Sequence, residues 1–424
     1  MSEHHDDEQK FVPQYGEEPN WMRFKSLALL VGAIGFGAYA VIGILNAALG
    51  TSGVRQYFAS YLTAFILWFC VPIGCMVLQM INYLTAGRWG YILRRVFEAN
   101  IRMFPFMALA FIPVGVSFFI GEASPYWWAK PSLETQVSPG WGQEEAIQEL
   151  QHKQSDFLNP PFAIARAVVY LSIWGALAFF LNRWSRESDK LQNTSLRERF
   201  KALSGPGLML HALVMTLAAT DWLMSLEPSW ASTMFPVIFA VTQILVGYAF
   251  SVVVAIQMAK KTMVNEVSNL DQINLGSFLL AFTLFWTYIS FSQFMLVWAG
   301  NLPEEIPFYL KRSSGGWQYV MSTLFVLHFF APFMLLLYRD VKTNRKYLTY
   351  TAIGLIAVCA LDVVIWVQPT FNRLGQPFFG LMDIAAIVGL GGLYVFLFIG
   401  QYQHNWKLPA YEDHLYHREH AHHG

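Results

Sequence analysis

Charged residues are scarce in this chain. Only 13% of its 424 residues are charged, and 28 basic residues balance 28 acidic ones, so the formal net charge is zero. A soluble domain carries about 25% charged residues. The composition therefore argues against a soluble enzyme, and the neutral balance argues against a nucleic-acid partner.

Cysteine and membrane-embedded histidine are equally scarce. The three cysteines, Cys70, Cys75 and Cys359, lie in apolar runs and form no Cys-x-x-Cys or haem-attachment motif, which argues against a disulfide framework or an iron–sulfur cluster. Of eleven histidines, only His211 and His328 lie in apolar segments, too few for paired haem ligation. We predict no directly bound cofactor and no metal. No catalytic motif is present either.

Long apolar runs, in contrast, fill the chain, which is 55% hydrophobic. A membrane-spanning helix needs about 20 predominantly apolar residues. The sequence therefore predicts an all-α integral membrane protein with about ten transmembrane helices. The predicted spans are 27–48, 57–84, 103–121, 161–182, 206–226, 232–259, 274–300, 316–338, 347–367 and 380–402.

Basic residues are distributed unequally between the two sides of these spans. The N-terminal side carries 21 of the 28 Lys and Arg residues. By the positive-inside rule both termini, the tails 1–26 and 403–424, should be cytoplasmic. The one long connection, 122–159, should then face outward, and its polar patch Gln143–Lys153 is predicted to be helical.

One motif recurs in the chain. The segment from Asp221 to Trp230 aligns with Asp362 to Phe371 at an offset of 141, with aspartate, proline, hydroxyl and aromatic residues in register. Helices four apart in a sequential bundle run in the same direction, so the match predicts two parallel-repeat four-helix bundles. Their predicted bounds are 56–226 and 227–367, with flanking helices in 27–55 and 368–402.

Ionisable residues within or beside the spans are the candidates for chemistry. An aspartate at a helix centre costs about 2.5 to 3.5 kcal/mol on insertion scales and often marks a proton or ion route. A route could lead from His211 through Asp221 to Glu227 or Glu122. The predicted proton-pathway residues are His211, Asp221, Asp362, Glu122, Glu227 and His328.

The alternative for each of these residues is a structural contact. Arg166 could form a buried ion pair with Glu122 or Asp221. His328 fits a packed core histidine better than a relay. Asp383 lies near the outer end of a span, where we expect it to reach water. A quinone pocket lined by aromatic residues is a third candidate site, but aromatic residues occur throughout the chain.

Several motifs together resemble a known family. They are His211–Trp230, Ser232–Pro236, Ile289–Gln293, Trp298–Tyr309 and Gly315–Tyr319. These stretches are similar to the ActF family of membrane subunits in bacterial alternative complex III, which belongs to the NrfD and polysulfide-reductase membrane-subunit family. The resemblance covers residues from about 20 to 405.

The resemblance implies a multi-pass subunit of a quinol:cytochrome c oxidoreductase in the bacterial inner membrane. Haem and iron–sulfur clusters would lie in partner subunits. The implied partners are an ActC-like paralogue, a multihaem cytochrome c, an iron–sulfur subunit, small membrane subunits, lipids and a terminal oxidase. This chain would contribute a proton pathway or a contact for quinone or menaquinone. The alternatives are a purely structural scaffold of that complex and, less favoured because the halves lack matching broken helices, a secondary transporter.

Overall fold

The computed structural model describes residues 20–48, 50–129, 152–153, 156–191, 196–228, 230–261, 267–302, 305–371 and 380–404. The predicted helix in Gln143–Lys153 lies outside these residues except for its last two, and both tails are outside apart from a few residues. In the ranges that are described, every regular element is helical and no residue lies in a strand. The predicted all-α fold class is confirmed.

Within the described residues, ten helices are long and apolar enough to cross a membrane, as predicted. We label them α1 to α10 in chain order. Their bounds are Trp21–Ala47, Thr51–Thr85, Arg88–Ser117, Pro160–Ser188, Glu198–Leu226, Phe235–Ala259, Asn269–Gly300, Trp317–Leu337, Arg345–Thr370 and Leu381–Tyr402. A short helix, Ile306–Arg312, precedes α8.

Helix α3 begins fifteen residues before the predicted start at 103, at Arg88. The basic residues between the predicted spans 57–84 and 103–121 are folded around a buried glutamate. Glu98 pairs with Arg95 at 2.9 Å and with Arg102 at 3.6 Å. Ser185 of α4 also donates a hydrogen bond to Glu98. A charged side chain can be buried in the protein interior when it is paired, but not when it is unpaired. The number of charges alone therefore misplaced the start of the helix.

The neighbour pattern of the ten helices forms two closed rings. In the first, α2 contacts α3, α3 contacts α4, α4 contacts α5, and α5 returns to α2. Helices α6 to α9 close in the same order. The rings meet mainly where α2 packs on α6, and α1 and α10 lie together beside α2. The arrangement consists of two four-helix bundles and two flanking helices. That the two bundles arose by duplication stays a prediction.

Glycine permits the closest helix crossings. A Cβ atom added to Gly74 of α2 would lie 1.9 Å from the carbonyl oxygen of Gln243 on α6. At the crossing of α1 and α10, a Cβ on Gly35 would lie 2.4 Å from the amide nitrogen of Gly389. Small residues at such crossings let two backbones pack closely. In a membrane this packing drives helix association, because lipid supplies no hydrophobic driving force between helices.

Replacing Gly35 with leucine should therefore weaken the α1–α10 contact, since overpacking costs about 1 to 3 kcal/mol. We expect a lower thermal unfolding midpoint in detergent. Gly37 is the matched control on the same helix, because a Cβ there meets nothing within 4 Å. Equal midpoints for Gly35→Leu and Gly37→Leu would contradict the crossing described here.

Candidate functional site

Asp221 lies in a fully paired cluster between α4 and α5. The Arg166 guanidinium donates from Nε to Oδ2 at 2.8 Å and from Nη2 to Oδ1 at 2.9 Å. Tyr170 adds a hydroxyl donor to Oδ2 at 2.9 Å. Arg166 also donates to the Phe157 carbonyl oxygen at 2.9 Å. Of the two partners predicted for Arg166, the structure selects Asp221.

This geometry fixes the orientation of the Asp221 carboxylate. A bidentate guanidinium is always protonated and holds a carboxylate in one orientation. Both carboxylate oxygens already accept strong hydrogen bonds. Glu122, the other predicted partner, is exposed in the turn Gly121–Ala123. Asp221 therefore suits a structural role better than the relay role predicted for it.

His211 lies apart from Asp221 although both belong to α5. Ten residues of helix separate them by about 15 Å. The Trp174 indole donates to Nδ1 of His211 at 3.2 Å. The Trp174 ring also packs against Trp222, with centroids 6.0 Å apart, and against Phe69. Aromatic rings thus fill the space next to His211 on its Asp221 side, and the structure does not bring the two predicted residues together.

Asp362 of α9 is paired with His328 of α8. Nδ1 of His328 lies 2.9 Å from Oδ2 of Asp362, and the two side chains are 0% and 2% exposed. The two atoms lie at ion-pair distance without hydrogen-bond alignment, and neither has another partner in the described chain. The sequence favoured a packed core histidine at 328, and His328 is indeed fully buried. The structure adds that it packs against a carboxylate.

The His328 ring is held by its surroundings. Trp286 of α7 stacks on it with ring centroids 3.5 Å apart and an interplanar angle of 14°. Its other nitrogen, Nε2, lies 3.9 Å from Sγ of Cys359. The stack leaves the two ring nitrogens as the only polar edges, one facing the carboxylate and one facing the thiol.

A local irregularity of α8 presents this ring. Residues Val326–Phe330 form a π-helical turn with His328 at its centre, and Pro332 follows at the start of the next α-helical segment. Proline cannot donate to the preceding turn, and single π-turns inside α-helices frequently mark functional positions. The turn widens α8 at the point where the imidazole enters the bundle of helices α6 to α9.

The two aspartates that match in sequence therefore differ in their partners. Asp221 has a permanent cation on the preceding helix, whereas Asp362 has a titratable imidazole on the preceding helix. Both lie toward the same end of equivalent helices. The first bundle therefore holds a guanidinium–carboxylate pair where the second holds an imidazole–carboxylate pair.

A polar stripe on α7 leads from this pair toward the side opposite the N-terminus. Ser290 follows Trp286 by one turn, and its buried hydroxyl oxygen has no hydrogen-bond partner among the described residues. Gln293 follows Ser290 and accepts a hydrogen bond from the Ser232 hydroxyl at 3.0 Å. Spacings of four and three residues place these side chains on one helix face.

Glu227 anchors a third cluster, beyond the end of α5. Its Oε1 accepts from Arg312 Nη1 at 3.0 Å and from the Thr370 hydroxyl at 2.9 Å. Its Oε2 accepts from Lys311 at 3.1 Å. Burial by itself raises the carboxyl pKa, but Arg312 and Lys311 outweigh it and hold the pKa of Glu227 below its ordinary value.

Arg312 extends this cluster to the end of α9, so that it acts as a clamp between helices. Besides Glu227, it donates to the carbonyl oxygens of Ile365 and Trp366, each at 2.9 Å, and of Phe308 at 2.8 Å. Its guanidinium also lies over the Phe308 ring at 3.4 Å. Glu227 was predicted as a proton-pathway residue; with two cations on it, it joins the short helix Ile306–Arg312 to the end of α9.

Asp383 is buried, so the expectation that it reaches water is wrong. It accepts from the backbone of Gly380 at 2.9 Å and from Gln368 at 2.6 Å. Gln368 in turn accepts from Gln56 at 2.7 Å. The aspartate caps α10 and joins it to α9. Its position near the end of the span therefore did not predict how exposed its side chain is.

Several residues of these clusters were missed from the sequence. They are Tyr170, Trp174, Trp286, Cys359 and Arg312. Three of them carried a usable signal. Tyr170 and Trp174 follow Arg166 at intervals of four residues, and Cys359 precedes Asp362 by three, so each set lies on one helix face. No spacing in the sequence reveals the contacts of Trp286 and Arg312.

His328, Cys359 and Asp362 could each offer a metal one ligand atom, and these atoms lie within 4.8 Å of one another. Structural zinc usually takes four protein ligands. The described residues supply three here, and all three are buried. Two of these three groups, His328 and Asp362, are already paired with each other without a metal.

No family model matches this chain, and no curated protein matches it.

Removing Arg166 should leave the Asp221 charge buried without a cation. Arg166→Ala should cost about 3 to 5 kcal/mol, whereas the double change Arg166→Met with Asp221→Leu should cost much less, because both charges then disappear together. Thermal unfolding in detergent measures both. Arg183→Ala is the control, since Arg183 is 58% exposed in its pair with Glu187 and such pairs contribute at most about 1 kcal/mol.

The Glu227 clamp should lose its stabilising effect in acid. A carboxylate with a lowered pKa in the folded state stabilises the fold above its unfolded pKa of about 4.3. That contribution disappears as pH falls through the lower folded value. Wild type should therefore exceed Glu227→Gln in unfolding midpoint at pH 7, and the gap should close in acid below pH ~4. A gap that stays constant with pH would contradict the ion pair.

Proposed function

We propose that this chain is a membrane subunit of a quinol-oxidising respiratory complex of the alternative complex III type, in the ActF family, and that the His328–Asp362 pair of its second bundle transfers protons. The family part of the proposal rests on the motifs between His211 and Tyr319. The chemical part rests on one observation: a buried carboxylate whose partner is itself titratable.

The pair suits proton transfer because of the two imidazole nitrogens. A neutral imidazole carries its proton on one nitrogen and accepts on the other, so a proton can enter at one edge and leave at the other. Nδ1 faces Asp362 and Nε2 faces Cys359. The Trp286 stack keeps both edges oriented while the charge changes.

The polar stripe of α7 supports an exit from this pair. Ser290 offers a hydroxyl that can both accept and donate, and Gln293 with Ser232 continues beyond it. Proton relays use such groups with bridging waters between them. By the positive-inside rule this end of α7 would face away from the cytoplasm, so the proposed exit leads outward.

The scaffold alternative is favoured by other observations in the same molecule. Asp221, Glu227 and Glu98 each pair with permanent cations and join separate helices or loops. We assign these three to assembly and stability, and His328 with Asp362 to proton transfer. Electron carriers, haem and iron–sulfur clusters, would belong to partner subunits, and quinone would be oxidised at a site shared with or supplied by them.

The decisive experiment replaces Asp362 with asparagine in the assembled complex. Asn keeps the size of the side chain but cannot exchange a proton, so the rate of proton release in proteoliposomes should fall by about 100-fold or more, as for a lost acid–base group. Assembly, followed by co-purification of haem and iron–sulfur partners, should persist.

Asp383→Asn is the matched control, because Asp383 is an equally buried aspartate that caps a helix. Its proton release should equal that of wild type. Normal proton release in Asp362→Asn, or loss of assembly in that variant with normal coupling in the surviving complex, would favour the scaffold. Isolation of the chain without any redox partner would count against the respiratory complex itself.

A further inference from the structure

Trp286 presents the face of its indole ring to His328. The two ring centroids lie 3.5 Å apart, and the ring planes are within 14° of parallel. Both side chains are buried. The indole Nε1 has no hydrogen-bond partner in the described chain. Trp286 therefore contacts His328 through its ring and not through its N–H group.

Trp174 contacts His211, the other histidine within a span, in the opposite way. Its indole N–H donates to Nδ1 of His211 at 3.2 Å, and the two rings are tilted by 45° with centroids 6.2 Å apart. A ring nitrogen that accepts this hydrogen bond carries no proton, so the contact requires a neutral imidazole. The Trp286 contact makes no such demand, because it leaves both ring nitrogens of His328 available for a proton.

A proton that crosses His328 passes through a charged state of the ring. When it arrives at one nitrogen before the other proton leaves, the imidazole becomes an imidazolium. An unpaired cation is costly to bury. Asp362 supports the charge at one edge, 2.9 Å from Nδ1. The thiol of Cys359 at the other edge is only a weak acceptor, so further stabilisation has to come from a face of the ring.

The indole face of Trp286 supplies this stabilisation. The face of an aromatic ring is negative, and tryptophan attracts a cation more strongly than tyrosine or phenylalanine does. The attraction acts within about 6 Å of the ring centroid, and the His328 ring lies well inside that distance. A neutral imidazole gains much less from the contact. The stack therefore favours the charged intermediate over the resting state, which is the condition for a faster step.

We infer that Trp286 is a positioning residue that acts through His328: its indole face stabilises the imidazolium that forms while a proton crosses the ring. The inference rests on the proposed role of His328 and Asp362 in proton transfer. It assigns a function to a side chain that neither donates nor accepts the transferred proton.

The test replaces Trp286 in the assembled complex with a series of fluorinated tryptophans, introduced by amber-codon suppression. Fluorine withdraws negative charge from the ring face and nearly preserves the shape of the ring. The rate of proton release in proteoliposomes should fall with each added fluorine, and by about tenfold or more when four are present, because a desolvated cation–π contact contributes that much. The thermal unfolding midpoint and the co-purification of redox partners should stay at their wild-type values.

The same series at Trp174 is the matched control, because Trp174 contacts its histidine through the N–H group, and its rates should equal that of wild type. Trp286→Phe keeps a weaker aromatic face, so its rate should lie between those of wild type and Trp286→Leu.

A rate that does not depend on the number of fluorines at Trp286, or an equal fall at Trp174, would overturn the inference. The Asp362→Asn variant separates this failure from that of the proposed function. A fall in Asp362→Asn without any dependence on fluorine removes the role of Trp286 alone. Wild-type rates in both sets of variants remove the proposed function as well.

Discussion

The structure depends on one constraint: a charge placed inside a membrane-spanning bundle must meet a partner there. The chain satisfies the constraint in two ways. Permanent cations neutralise Asp221, Glu227 and Glu98. A neutralisable group, His328, accompanies Asp362. The first solution stabilises contacts between helices, while the second leaves the protonation state of the pair open.

The architecture explains why aspartates at equivalent positions, Asp221 and Asp362, have different partners. The helices of each bundle close in a ring, so the helix before each aspartate-bearing helix is its neighbour. The residue that this neighbour presents decides the chemistry. Arg166 on α4 gives a guanidinium–carboxylate salt bridge, and His328, in the π-helical turn of α8, gives an imidazole–carboxylate pair.

Sequence reasoning recovered the features that depend on local composition. Apolar runs predicted all ten spans, and the recurring motif predicted that Asp221 and Asp362 occupy equivalent places. It also named both His328 and Arg166. What it could not supply was pairing across helices: His328 and Asp362 are 34 residues apart in sequence, and Glu227 and Arg312 are 85 residues apart. It misplaced the start of α3 because a buried charge network looks like a loop when only charge is counted.

The glycine crossing of α1 and α10 has a consequence for how the protein is made. Gly35 must pack against Gly389, which emerges from the ribosome 354 residues later. At ordinary synthesis rates of about 5 to 20 residues per second, that interval is roughly 20 to 70 seconds. During this time α1 is already in the membrane without its partner, so the first helix inserted must wait for the last before the fold is complete.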